Sequence, residues 1–146
     1  MRRFPAGVAV VTVDAGGERL GLTVGTLVAL SLDPPLVGMS IARDAALHEL
    51  LREAGGFSAS LLAAGQEAVA QHFARGVPPL AHWHGIETRE GTRAPLIAGA
   101  LGWVECALWG EWPTGDHTFF AGEVLALELG EAKPPLLYLD RRYSSV

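Results

Sequence analysis

Val8 to Val13 is an unbroken run of small and β-branched apolar residues, and Asp14-Ala-Gly-Gly17 supplies turn chemistry before a second extended run beginning at Leu20. A run and a turn in that order read as a β-hairpin. The same punctuation recurs down the chain. Leu22 to Ser31 is extended in character, breaks at Asp33-Pro34-Pro35, and resumes as Leu36 to Ile41, which predicts two more strands joined by a proline turn. Phe57 to Leu62 reads as a strand. The last third holds three more, Ala100 to Trp109, Phe119 to Leu129 and a short Leu136 to Leu139, separated by Pro113-Thr-Gly-Asp-His117 and Lys133-Pro-Pro135.

Two segments carry the helical period instead. Ala46, Leu47, Leu50, Leu51 and Ala54 recur at 3.6-residue spacing, with Asp44 as the predicted cap and Gly55-Gly56 as the stop. Gln66 to Ala74 predicts a second helix ending near Gly76, and Val77 to Arg93 predicts an irregular excursion. About seven strands joined by short turns, without regular strand-helix alternation, argue against a doubly wound sheet. They point to a mainly β fold, an antiparallel barrel with two or three short helices. The 146 residues show no linker or repeat and are read as one domain, 1–146.

Charge narrows the function. Eleven Lys and Arg against sixteen Asp and Glu give a net charge of -5, which disfavours a nucleic-acid partner. No apolar run is long enough to span a bilayer. Lys133 is the single lysine, so arginine forks are the cations available to an anionic small ligand. Cys106 stands alone, which excludes an intrachain disulfide and multi-cysteine metal patterns and fits a cytoplasmic setting. Arg2 and Arg3 before the Val8 run faintly imitate a signal peptide, but Asp14 ends the apolar stretch and no cleavage pattern follows.

The common enzyme motifs are missing. There is no Gly-x-Gly-x-x-Gly, no phosphate loop and no Gly-x-Ser-x-Gly elbow. His82-Trp83-His84 could place two imidazoles on one side, but without an acidic or cysteine partner nearby it reads as a surface loop rather than a metal centre. His72 reads as a helix boundary residue. More informative is Gly21-Leu-Thr-Val-Gly-Thr26, where two hydroxyls and open glycine backbone could donate to a heterocycle or a phosphate; an ordinary strand is the competing reading. Arg43, next to a helix start, could hold a phosphate or simply be a solvated arginine beside Asp44. His117 closes a Gly-Asp-His turn, where a histidine is well placed to contact a reactant, whereas the plainer reading is a polar turn.

Arg3-Phe-Pro-Ala-Gly-Val-Ala-Val-Val-Thr12, Gly21 to Thr26, Ser31-Leu-Asp-Pro-Pro-Leu-Val37, Phe57 to Leu62, Gln71-His-Phe-Ala74, Gly115-Asp-His117 and Pro135-Leu-Leu-Tyr138, in that order, resemble the flavin reductase family of the FMN-binding split barrel. The resemblance implies an antiparallel split β-barrel and a homodimer, with FMN or FAD in a cleft near the subunit interface. The ring would lie against Thr23, Val24, Gly25 and Thr26, and Ser31 would approach its edge by its backbone. Thr26 and Arg43 would hold the phosphate, and Phe73 and Ala74 would line the cleft. His117 would be the catalytic histidine beside nicotinamide and flavin, and Tyr143 an aromatic of the C-terminal segment.

The implied activity is an NAD(P)H:flavin oxidoreductase that passes a hydride from NADH or NADPH to flavin and supplies a partner monooxygenase. A flavin-binding electron carrier without nicotinamide activity is the alternative. Two departures from the family pattern stand out. The arginine-phenylalanine pair begins at position 3, so contacts of a fuller N-terminal helix would be reduced. Gly25 replaces a small or polar side chain, which would loosen flavin specificity.

Overall fold

The predicted opening hairpin is formed by β2 (Ala9–Ala15) and β3 (Glu18–Val24), joined at Gly16 and Gly17, both at positive φ. Asp14 fixes this turn by accepting the Gly17 N–H at 2.8 Å and Arg19 Nε at 2.9 Å. The computed structural model describes residues 1–75 and 79–146. Ahead of β2 lies a two-residue strand, β1 (Ala6–Gly7). A second hairpin follows, of β4 (Val28–Leu32) and β5 (Pro35–Ala42), turned at Asp33-Pro34. The run expected from Leu22 to Ser31 is therefore two strands, interrupted at Gly25, Thr26 and Leu27.

Helix α1 (Ala46–Ala54) presents Leu47, Leu50 and Leu51 to the core and stops at Gly55, whose φ of 67° suits glycine and whose N–H donates to the Leu51 carbonyl at 3.0 Å. Its N-cap is Ala45 with no side-chain cap bond, so the cap expected of Asp44 is not formed. Strand β6 (Gly56–Leu61) and helix α2 (Glu67–Ala74) come next. The stop expected near Gly76 lies outside the described residues. In the segment expected to be irregular, a 3₁₀ turn spans Pro79–Ala81, and β7 (Thr88–Arg89) pairs with β8 (Leu96–Ile97).

The long hairpin of β9 (Gly102–Thr114) and β10 (His117–Leu129) turns through only Gly115 and Asp116. Pro113, Thr114 and His117, expected in a separating turn, belong to the strands. The chain closes with β11 (Leu136–Leu139) and β12 (Arg142–Ser145), and β11 pairs with both β1 and β12 in a small three-stranded sheet.

Seven strands form one antiparallel sheet in the order β3-β2-β6-β9-β10-β5-β4. Just beyond β3, Thr26 Oγ1 donates to the Ser40 carbonyl at 3.3 Å and accepts the Ser40 N–H at 3.1 Å, linking the β3 end of the sheet to β5. Strand β2 is buried on both faces. Ala9, Val11 and Val13 join Met39, Phe57, Phe120 and the α1 leucines inside, while Val10 packs with Phe73, Leu62 and Leu136 under α2. A strand covered on both sides has no need of polar alternation, which explains the unbroken Val8–Val13 run.

Candidate functional site

Strand β3 ends the sheet, so one side of its backbone has no strand neighbour. Its last residues, Thr23 and Val24, with Gly25, form the floor of a cavity of about 210 Å³. Val8, Ala74 at the end of α2, and Tyr138 and Tyr143 on the C-terminal hairpin complete the lining. Five of the residues expected from the sequence, Thr23, Val24, Gly25, Ala74 and Tyr143, thus meet in one place. The two tyrosine rings stand 5.2 Å apart, and burial pushes the Tyr143 phenol above its usual range, so it is a neutral hydroxyl at physiological pH. Gly25 and Tyr138 are shared with a larger cleft of about 690 Å³, which Phe4, Pro5, Ala6 and Gly7 also line. Thr26 lines this cleft.

Both threonine hydroxyls have hydrogen-bond partners within the chain. Thr23 Oγ1 donates to the Ala70 carbonyl of α2 at 2.7 Å, and the Thr26 hydroxyl donates to Ser40. Each has one proton to give, and here it goes to a backbone carbonyl. Thr23 fastens α2 to the β3 edge and Thr26 bridges the sheet.

Four expected residues lie elsewhere. Phe73 is buried in the core beneath α2 and lines a neighbouring cavity of about 430 Å³, which meets the first at Ala74. Ser31 sits half-buried in β4 at an irregular register opposite Leu36 and lines none of these cavities. Arg43 and His117 flank the β9–β10 turn instead. Arg43 donates its backbone N–H to the Asp116 carbonyl at 2.9 Å and its guanidinium to the Gly115 carbonyl at 3.2 Å. The Arg43 side chain is exposed, as the solvated reading expects, and spends one of its five N–H donors on the turn carbonyl. His117 Nδ1 stands 2.7 Å from Asp116 Oδ1, and this bond holds the Asp116 carboxyl below its usual pKa. A carboxylate at Nδ1 keeps a proton there and leaves Nε2 as the outward nitrogen.

The surface-loop reading of His82 needs correction. His82 is buried, its Nε2 accepts the Gly21 N–H at 2.8 Å, and its carbonyl accepts His72 Nε2 at 2.6 Å. With Trp83 Nε1 donating to the Arg19 carbonyl at 3.0 Å, this segment covers the β3 edge. Val8 and Tyr138 were missed as lining residues. Tyr138 closes the Pro135-Leu-Leu-Tyr138 motif, and the turn that folds Tyr143 back onto it has no glycine or asparagine to announce it.

An antiparallel sheet of seven strands closed across one split, with a cleft at that split, defines a small split-barrel protein. The family model for the flavin reductase like domain matches residues 1–146, and the chain belongs to that family. It is 43% identical to the reductase component of 4-hydroxyphenylacetate 3-monooxygenase of Thermus thermophilus over 143 residues, covering 98% of this chain and 90% of that protein. It is 40% identical to the NADH-dependent FAD reductase of Streptomyces globisporus over 149 residues, covering 96% and 79%. Among solved structures, the NADH:FAD oxidoreductase of Streptomyces globisporus C-1027 in complex with NAD and FAD fragments superposes with a TM-score of 0.91, at 38% identity, over 97% of this chain and 86% of that one.

Proposed function

We propose that this chain is an NAD(P)H:flavin oxidoreductase, passing a hydride from NADH or NADPH to FMN or FAD and supplying a partner monooxygenase with reduced flavin. The observation that carries the reading is the cavity in which Thr23, Val24, Gly25, Ala74 and Tyr143 converge. The names of the relatives, a monooxygenase reductase component and an NADH-dependent FAD reductase, support it.

The lining fits a flavin. Gly25 lines both the cavity and the cleft and, without a side chain, leaves bare backbone facing them. The walls are apolar and aromatic with a few polar groups, the mixture expected for a planar heterocycle. A bound flavin would supply the acceptor for the hydride. Val24 and Tyr143 would hold and orient it and the tyrosine walls would exclude water, while His117, its Nδ1 held by Asp116, would offer Nε2 to the reactants. Positioning of this kind makes the transfer effectively intramolecular.

A homodimer is part of the proposal. Leu30, Trp109, Trp112, Leu125, Leu127 and Leu129 are exposed on β4, β9 and β10, and the Trp109, Trp112 and Phe119 rings follow one another at 6.3 and 6.4 Å. Leu30 and Phe119 meet over Gly38. An apolar face of this kind is uncommon on a monomer. A cytoplasmic location is likewise proposed, from the lone buried cysteine; among the described residues no helix is long and apolar enough to cross a membrane.

The test is an anaerobic absorbance titration. FMN or FAD should bind, and NADH or NADPH should bleach the flavin band within seconds. Flavin that binds but stays oxidised would favour the electron carrier. Sedimentation analysis in the same buffer should give twice the chain mass.

A further inference from the structure

The turn joining β11 to β12 consists of Asp140 and Arg141, at φ 52° and 64°. Two successive positive φ angles make a type I′ turn, which favours Asn or Asp first and Gly second. Asp140 obeys that rule and is tied down as well: its carboxylate accepts Arg2 Nε at 2.6 Å and its N–H donates to the Arg2 carbonyl at 2.7 Å. Arg141 does not. A side chain in the left-handed region carries a steric cost that glycine would avoid, and among the described residues its guanidinium has no hydrogen bond or ion pair to offset it. Strain at an exposed residue with no structural partner points to a ligand.

Arg141 lines the cleft of about 690 Å³ that continues from the cavity proposed for flavin. The cavity alone, at about 210 Å³, falls below the roughly 300–1,000 Å³ of ordinary small-molecule sites. A nucleotide seated there extends beyond it, either past Ala74 into the neighbouring cavity or past Gly25 and Tyr138 into the cleft, and the cleft carries Arg141, whose guanidinium has no partner among the described residues. Arg2, the other arginine on the cleft, is already paired with Asp140.

We propose that Arg141 is a phosphate-binding residue of this cleft, contacting the phosphate of the nucleotide whose ring occupies the adjoining cavity. The inference rests on the flavin reductase reading. A guanidinium presents paired donors that match phosphate oxygens, and the type I′ turn holds it at the cleft. The phosphate has two sources with one chemistry, the flavin's own ester or the diphosphate of a dinucleotide.

The experiment compares the whole protein with Arg141→Gly and Arg141→Lys. Glycine suits the turn, so Arg141→Gly should melt at or above the wild-type temperature. Dissociation constants for riboflavin, FMN and FAD are read from flavin fluorescence at low and high salt, and the KM for NADH is read with riboflavin as acceptor. At least one phosphate-bearing ligand should weaken about tenfold in Arg141→Gly while riboflavin is unchanged. The loss should shrink at high salt and be partly restored in Arg141→Lys. Equal loss for FMN and FAD assigns the flavin's own phosphate, loss for FAD alone assigns its diphosphate, and a raised KM for NADH alone assigns the nicotinamide dinucleotide. Unchanged FMN, FAD and NADH, or a parallel loss of riboflavin, would overturn the assignment. Failure of the flavin reductase reading shows in the wild type, whereas failure of this assignment shows only in the variants.

Discussion

The ring of Phe73 lies so close to Gly21 that a β-carbon on the glycine would stand 2.8 Å from ring atoms Cδ1 and Cε1. On its edge, the same glycine donates its N–H to His82 Nε2 at 2.8 Å. Gly21→Ala must therefore push a fully buried ring or pull the strand from His82. Overpacking of this kind costs about 1–3 kcal/mol, which in thermal unfolding corresponds to a midpoint lowered by roughly 3–10 °C. Flavin affinity should fall with it, because Ala74, next to the ring, lines the cavity. An unchanged midpoint would mean that the Phe73 ring has room to swing.

Thr23→Val separates two roles for one hydroxyl. If Thr23 chiefly fastens α2 through the Ala70 carbonyl, its loss should destabilise the fold by about 1 kcal/mol and loosen α2 in hydrogen exchange. Flavin binding should change less than threefold. A large loss of affinity at unchanged stability would restore the ligand-donor role suggested by the sequence.

Local signals carried much of this fold. The β2–β3 turn was legible because Asp14, Gly16 and Gly17 are residues that positive φ and side-chain turn bonds require. The stop of α1 at Gly55 was legible for the same reason. The Asp140-Arg141 turn was not, because Arg141 is the wrong residue for its conformation, and β12 was missed with it. At the site, Thr23, Val24, Gly25, Ala74 and Tyr143 fell together because family resemblance transfers backbone position well. Hydroxyl partners are less legible: that Thr23 donates to the Ala70 carbonyl depends on where α2 packs, which no local pattern records. His82 was misjudged for the same reason, since its partner Gly21 lies 61 residues away.

Cys106 is fully buried opposite Phe57, and burial pushes its thiol up to about 12. At pH 8 it should be inert to a thiol-directed disulfide reagent and should react only as the protein unfolds. The pH dependence has a fixed sign. A folded-state pKa above the unfolded value of 9.0 contributes stability below pH 9 that is lost as pH rises toward 12. Denaturant titrations at pH 8 and pH 10 should show the lower stability at pH 10, and Cys106→Ala should reduce that difference. Rapid labelling at pH 8 without unfolding would contradict the burial.

His117 begins β10, paired with Ala42 across the sheet and bonded through Nδ1 to Asp116. Hydride transfer needs no side-chain nucleophile, so the histidine can only position the reactants or polarise them. His117→Ala should therefore slow flavin reduction by roughly ten- to a thousandfold, about 1.4–4 kcal/mol, without abolishing it. Flavin affinity should fall far less, because His117 is not among the residues lining the cavity. Asp116→Asn keeps the shape but removes the charge that holds the imidazole, and should give a smaller loss. Stopped-flow bleaching of bound flavin by NADH, beside a flavin titration of each variant, separates the cases. Wild-type reduction rates in His117→Ala would leave His117 as a turn residue; equal collapse of affinity and rate would make it a cofactor-retaining residue instead.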